Sequence, residues 1–305
     1  MRLAMIGLGK MGANMVRRLR KADFEIVGYN RSKEIMDTLD KEVGMIKATT
    51  VANAVRQLEA PRVVWMMLPS GSPTEKTVKE LEKRLSFGDV VVDGGNSNYK
   101  DSQRRYAMLA QSGIGYIDAG TSGGVWGLEN GYCMMVGGEK QHVKIIEPIL
   151  KALAPAPDRG WAHVGHNGAG HFVKMIHNGI EYGMMQAYAE GFALMRKKHD
   201  FTLDLGQISE VWRHGSVVQS WLLDLTAAAL QQDQTLESVA PYVSDSGEGR
   251  WTVQEAIELG VPAPVISLAL QMRFDSQDEE GYGNRILSTM RNAFGGHDIK
   301  NKTAD

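Results

Sequence analysis

The chain opens with a short apolar run, Arg2-Leu-Ala-Met-Ile6, that leads straight into Gly7-Leu-Gly9-Lys-Met-Gly12 and then a helical pattern through Leu19. An isolated GxGxxG carries little weight, but strand, glycine turn and helix in this order form the dinucleotide fingerprint in its required context. Glycines permit the tight turn and let backbone amides approach a pyrophosphate, and the helix dipole favours negative charge at that end. The pattern predicts a nucleotide cradle at Gly7, Leu8, Gly9, Lys10, Met11 and Gly12, with a purely structural strand-to-helix turn as the alternative.

A second strand, Glu25-Ile-Val-Gly28, ends in Tyr29-Asn30-Arg31-Ser32. An acidic residue at such a strand end holds the ribose 2′-hydroxyl of NAD. Here an amide, a guanidinium and a hydroxyl stand instead, which suits the 2′-phosphate of NADP, with NAD still admissible; a surface arginine beside a helix start is the plainer reading of Arg31. Strands are expected at Arg62 to Leu68 and Asp89 to Val92, near Asp118, and at Tyr132 to Val136 and Ala162 to Gly165. Helical segments fall at Val51 to Leu58, Glu75 to Leu85, Ser102 to Ser112 and Lys140 to Leu153. Alternating strands and helices predict an α/β Rossmann-type doubly wound domain with ligands at the carboxyl ends of the strands. The loops to inspect are Pro69-Ser-Gly-Ser72, Asp93-Gly-Gly-Asn96 and Asp118-Ala-Gly-Thr-Ser-Gly-Gly124, where paired glycines beside polar residues let a ligand meet the backbone closely.

From Gly168 onward helical periodicity dominates, so residues 1–165 are expected to form the nucleotide-binding domain and 166–305 an all-α substrate and dimerisation domain. Within the first of these helices, Lys174, His177, Asn178 and Glu181 stand at i, i+3, i+4 and i+7, along one stripe. Lys174 and Glu181 are separated by about 10 Å of helical rise, enough to address two places on a sugar-sized molecule. Phe172, Val173, Met175, Ile176, Ile180, Met184 and Met185 make the rest of the helix apolar, so the stripe is expected to face a cleft or an interior. Ionisable groups in such a place are costly unless they are used or paired; a solvated polar face is the alternative.

A formal charge of −2 over 305 residues gives no broad cationic field for nucleic acid or anionic lipid, so a small anionic ligand fits better than a polymer or a membrane. Cys133 is the single cysteine, which excludes an intrachain disulfide and a cysteine metal cluster and suits a reducing, cytoplasmic setting. No window approaches a membrane span.

Together these motifs resemble the decarboxylating 6-phosphogluconate dehydrogenases, within the wider β-hydroxyacid dehydrogenase family. The run His171-Phe-Val-Lys-Met-Ile-His-Asn-Gly-Ile-Glu-Tyr182 is the most specific part of the likeness, and the length is that of the short-chain branch. The resemblance implies Lys174 as general base and Glu181 as general acid, with Asn96, Ser122, Gly123, Gly124, His177 and Asn178 around the carboxylate and hydroxyls. It places Tyr182, Arg250 and Arg273 on the substrate phosphate, and Asn96 and Leu68 also beside the cofactor. The tail Arg291-Asn-Ala-Phe-Gly-Gly-His297 would complete a partner's pocket in a homodimer, or a homotetramer built from dimers. Leu68-Pro69 replaces a lysine-containing loop of longer members, which removes a positive charge near the nucleotide, and Val125-Trp126 stands where those members have acidic residues.

The chemistry is coherent on its own terms. A 3-hydroxy acid oxidised by hydride transfer becomes a β-keto acid, which loses carbon dioxide because the developing carbanion is stabilised as an enolate. A neutral lysine takes the hydroxyl proton and, as an ammonium, then donates to the ketone oxygen; an acid at Glu181 protonates the carbon left behind. Neutrality near pH 7 requires a lysine pKa well below its usual value of about 10.4, and no metal is called for where the protein supplies the proton donors. A phosphate-free 3-hydroxy acid is an alternative substrate, but leaves Tyr182, Arg250, Arg273, Arg291 and His297 without a common purpose. A catalytically silent nucleotide-binding protein would not need the Lys174–Glu181 helix.

Overall fold

The structure, a computed structural model, describes residues 1–300. Eight strands form one sheet: β1 Arg2–Ile6, β2 Glu25–Tyr29, β3 Ile46–Lys47, β4 Val63–Met66, β5 Val90–Asp93, β6 Gly115–Ser122, β7 Cys133–Gly138 and β8 Trp161–Gly165. Their spatial order is β3-β2-β1-β4-β5-β6-β7-β8, and every pairing is parallel except β6 with β7. Helices α1 Lys10–Lys21, α2 Lys33–Val43, α3 Val51–Arg56, α4 Ser72–Glu82, α5 Tyr99–Ala110, α6 Gly127–Asn130 and α7 Lys140–Leu153 connect them.

Alternation along the strands divides the core between the two sheet faces. Leu3, Met5, Val90 and Val92 face one side with Val16 and Leu19 of α1 and Ile146 and Leu150 of α7. Ala4, Ile6 and Val91 face the other with Ala54 of α3, Val78 of α4 and Leu109 of α5. Both faces being covered explains why these strands read as unbroken apolar runs. Three elements escape the sequence reading: β3 is only two residues long, α6 is a single turn of four residues, and α2, closed by Gly44 in the left-handed region at φ 65°, was expected only as a helix start at Ser32. Residues Asp118 to Ser122, expected in a loop, lie in β6, because the antiparallel ladder with β7 carries the strand on to Ser122.

The chain divides into two compact units, Met1–Asn178 and Gly179 onward. This is beyond the expected change at residue 165, where β8 ends, because helix α8, Ala169–Lys197, begins against the sheet. A Cβ on Gly170 would lie 2.3 Å from the Asp118 carbonyl and 2.5 Å from that of Met135, so only a glycine lets the helix start this close to β6 and β7. The second unit holds the remainder of α8 with α9 Leu205–Trp212, α10 Trp221–Gln232, α11 Glu248–Glu258, α12 Pro264–Asp275 and α13 Tyr282–Gly295. Asp204 and Ser220 cap α9 and α10 by accepting the amides of Gln207 and Leu223. Small cores form from Phe192, Leu205, Leu223 and Leu230, and from Tyr182, Ala269 and Leu270. Among the described residues no helix is long and apolar enough to cross a membrane.

Candidate active site

The first unit gathers its loops at the carboxyl ends of β1, β4, β5 and β6. After β1, Gly7 adopts φ 95°, and a Cβ there would sit 2.3 Å from the Met67 carbonyl. A Cβ on Gly12 would meet the Gly7 carbonyl at 2.1 Å, whereas one on Gly9 would meet nothing within 4 Å. The outer glycines therefore serve packing and the middle one keeps space open for a ligand. Helix α1 begins at Lys10 with no side-chain cap and no acid in its first turn, which leaves its leading amides for an anion. Asn30 turns back to accept the Leu8 amide at 3.1 Å, so it shapes this cradle directly. Arg31 is exposed and makes no hydrogen bond or ion pair among the described residues, and Ser32 precedes α2 without a side-chain capping bond. A nicotinamide dinucleotide fits this set of residues.

The other loops close around the same edge. A Cβ on Gly95 would lie 2.5 Å from the Leu68 carbonyl, which brings the loop carrying exposed Asn96 against Leu68. Ser122 ends β6, and Gly123 and Gly124 follow in the left-handed region at φ 132° and 52°. This turn is tied to the nucleotide helix, because Asn14 of α1 donates to the Val125 carbonyl at 3.1 Å.

Helix α8 is seated on that edge by Asp118. One carboxylate oxygen accepts the Gly168 amide at 2.7 Å and the other the His171 amide at 2.9 Å, capping the helix from inside the sheet. Burial pushes the Asp118 carboxyl up, against the lowering effect of His171 and these amides. One turn further on, Lys174 is 6% exposed and its stem packs over Gly120, where a Cβ would stand 2.5 Å from that of Lys174. Its Nζ lies 3.4 Å from His177 Nδ1, which is 3.0 Å from Asn178 Oδ1. With the proton on Nδ1 the ring donates to Asn178; with the proton on Nε2, Nδ1 accepts from the lysine. This triad can therefore accompany Lys174 through both of its protonation states.

In the second unit α8 continues with half-buried Glu181 and buried Tyr182. The Tyr182 hydroxyl is 3.4 Å from Asp245 Oδ1 and 3.5 Å from Ser246 Oγ. The Arg273 guanidinium lies 3.6 Å over the Tyr182 ring and donates to the Ser244 carbonyl at 2.7 Å. Arg250 stacks on Phe274 at 4.3 Å and is ion-paired with Asp245. The three residues expected on a phosphate thus share one neighbourhood, built around Asp245 and Ser246. Sequence reasoning overlooked those two: they lie in an aperiodic loop, and their nearness to the Gly247-Glu-Gly-Arg250 run was the only signal. Arg291 on α13 and His297 beyond it are exposed and join no ion pair among the described residues; Gly296 at φ 62° closes the helix between them. No group of three or more His, Cys, Asp or Glu among the described residues comes together in a way that could hold a metal ion.

Residues 2–165 match the NAD binding domain of 6-phosphogluconate dehydrogenase, and residues 170–295 match the C-terminal domain of 6-phosphogluconate dehydrogenase. The chain belongs to the 6-phosphogluconate dehydrogenase family. It is 39% identical over 303 residues to the NAD(+)-dependent, decarboxylating 6-phosphogluconate dehydrogenase of Haloferax volcanii, covering 99% of both chains. It is 34% identical to the NADP(+)-dependent, decarboxylating enzyme of Bacillus subtilis, over 91% of this chain and 62% of that longer one. The solved 6-phosphogluconate dehydrogenase of Plasmodium falciparum superposes with a TM-score of 0.84 at 27% identity, covering all of this chain and 67% of the other.

Proposed function

We propose that this protein oxidises and decarboxylates 6-phosphogluconate to ribulose 5-phosphate and carbon dioxide, favouring NADP and also accepting NAD. The observation that carries the reading is helix α8, which bears a buried lysine in contact with His177 and, two turns on, a half-buried glutamate beside Tyr182. A bound nicotinamide cofactor supplies the hydride acceptor. Lys174 removes the hydroxyl proton and, as an ammonium, donates to the new carbonyl oxygen while the carboxylate leaves. Glu181 then delivers a proton to the carbon that lost carbon dioxide. The Ser122-Gly123-Gly124 turn receives the carboxylate, and Asn96, His177 and Asn178 the hydroxyls. Tyr182, Arg250 and Arg273 hold the phosphate, which a phosphate-free hydroxy acid would leave unused. Arg31, without an acid at that strand end, supports NADP; the Haloferax relative, named for NAD(+), makes the cofactor comparison a real test.

The reading extends to a shared site in a homodimer. Ile286, Leu287, Met290 and Phe294 are 41%, 56%, 47% and 79% exposed on α13, an apolar stripe that a second copy would cover while placing Arg291 and His297 on its substrate. Lys174→Met and His297→Ala protomers, each nearly inactive alone, should regain activity when co-folded; no recovery would return the tail to its own subunit.

Single-turnover kinetics test the helix roles. Lys174→Met should abolish both cofactor reduction and carbon dioxide release, whereas Glu181→Gln should reduce cofactor and then accumulate the unprotonated enediol. Substantial dehydrogenation by Lys174→Met would remove Lys174 as the base.

A further inference from the structure

We propose that Asp93, at the carboxyl end of β5, is a positioning residue for this reaction: from inside the first unit it grips both neighbours of Asn96 and so fixes that side chain toward its ligands. The inference rests on Asn96 facing cofactor and substrate, as read above. Asp93 is fully buried. Its Oδ1 accepts the Gly95 amide at 3.2 Å and its Oδ2 the Ser97 hydroxyl at 2.7 Å. Asn96 lies between these two held residues, exposed and without a hydrogen bond of its own among the described residues. The turn has no room to slide, since a Cβ on Gly95 would already strike the Leu68 carbonyl.

Behind the turn stands a second ring of donors. Oδ2 of Asp93 also receives Arg105 Nη1 at 3.2 Å and the Tyr116 hydroxyl at 2.9 Å, and Arg105 donates to Ser97 Oγ at 3.1 Å. Arg105 is anchored in turn to Glu75 at 3.2 Å. Burial, and after it the charge of Asp93, push the Tyr116 phenol well above its ordinary range, so it stays a hydroxyl donor. A buried ion pair is poor value as stabilisation, because apolar residues of the same volume usually serve as well. What apolar residues cannot do is hold the Gly95 amide and the Ser97 hydroxyl, one residue to either side of Asn96, in a fixed geometry. Val90, Val91 and Val92 of the same strand are fully buried and apolar, so Asp93 is the polar end of an otherwise apolar strand. At the carboxyl end of β5 the cluster reaches the surface through exposed Asn96, held between buried Gly95 and Ser97, which assigns it to positioning.

A double-mutant cycle tests this on the full-length protein. Ser97→Ala removes one grip while leaving the buried Asp93–Arg105 pair intact, and Asn96→Ala removes the side chain being held. Each is measured for kcat/KM with 6-phosphogluconate, for the affinity of NADPH and NADH by fluorescence, and for Tm. Ser97→Ala should lower kcat/KM about tenfold, the scale of a sub-ångström misplacement, with a Tm near that of the wild type. In the Asn96→Ala background the same change should cost nothing further. Additive losses, or wild-type kinetics for either single variant, would overturn the inference. If the wild type fails to turn over 6-phosphogluconate, the proposed reaction falls by itself, and the same cycle read on NADPH and NADH affinity still decides whether the grip of Asp93 on Ser97 acts through Asn96.

Discussion

Gly120→Ala is the sharpest perturbation of the seat on which Lys174 rests. The added Cβ would stand 2.5 Å from Lys174 Cβ, 2.6 Å from the Gly170 carbonyl oxygen and 3.2 Å from Lys174 Cγ. Carbon atoms settle at about 3.5–4.0 Å, so α8 must retreat by about 1 Å. A rotamer change offers no escape, because the obstructing atoms are the first carbon of the lysine and a helix carbonyl. Overpacking of this kind costs about 1–3 kcal/mol of stability. A lysine displaced by about 1 Å loses on the order of 10²-fold in turnover, or about 2.7 kcal/mol of barrier. Steady-state kinetics at a temperature well below the variant's Tm separate the two effects. Gly191→Ala, on the same helix with nothing within 4 Å of the added carbon, is the control; it should hold or raise Tm and leave kcat unchanged. Wild-type kcat in folded Gly120→Ala would refute the claim that this contact positions Lys174.

The nucleotide turn should divide by role: Gly7→Ala, forced into φ 95° and against Met67, should lower Tm, whereas Gly9→Ala should keep Tm and raise the KM for the cofactor. Arg31→Ala should weaken NADP by about 1.5–3 kcal/mol, the range of a charge-assisted hydrogen bond, with little effect on NAD; equal losses for both cofactors would remove it from the 2′-phosphate. Hydrogen bonding from Arg104, opposed by partial burial and joined by Arg105, holds Glu75 down at about 2, against an ordinary 4.5. A depressed carboxyl stabilises the fold above its unfolded value and loses that contribution as pH falls through the folded one. Acid unfolding monitored by circular dichroism should therefore be shallower in Glu75→Gln between pH 4.5 and 2, and an unchanged slope would contradict the pairing.

The nucleotide cradle was legible because its signal is local: glycine spacing, an apolar strand before it and a helix after it. The α8 stripe was legible for the same reason, since Lys174, His177, Asn178 and Glu181 follow helical spacing. Long-range partners left no such trace. Asp93 and Asp118 stood in loops marked for inspection, yet their burial depends on Arg105, Tyr116 and the first turn of α8, which lie far along the chain. The reversal of β7 was hidden because a strand's pattern is the same read in either direction. Helix α11 begins at Glu248, where Gly249, a weak helix former, packs on the Tyr182 ring, so its first turn left little trace in the sequence. The apolar face of α13 follows helical spacing, but that Ile286, Leu287, Met290 and Phe294 stay exposed could be recognised only in the fold.

The central claim is tested most directly by incubating the purified protein with 6-phosphogluconate labelled at its carboxyl carbon and with NADP or NAD, following reduced cofactor and labelled carbon dioxide in one reaction. The account predicts one carbon dioxide released for each cofactor reduced, undiminished by chelators, with gluconate lacking the phosphate turned over far more slowly. Cofactor reduction without carbon dioxide, or equal turnover of the unphosphorylated acid, would contradict it.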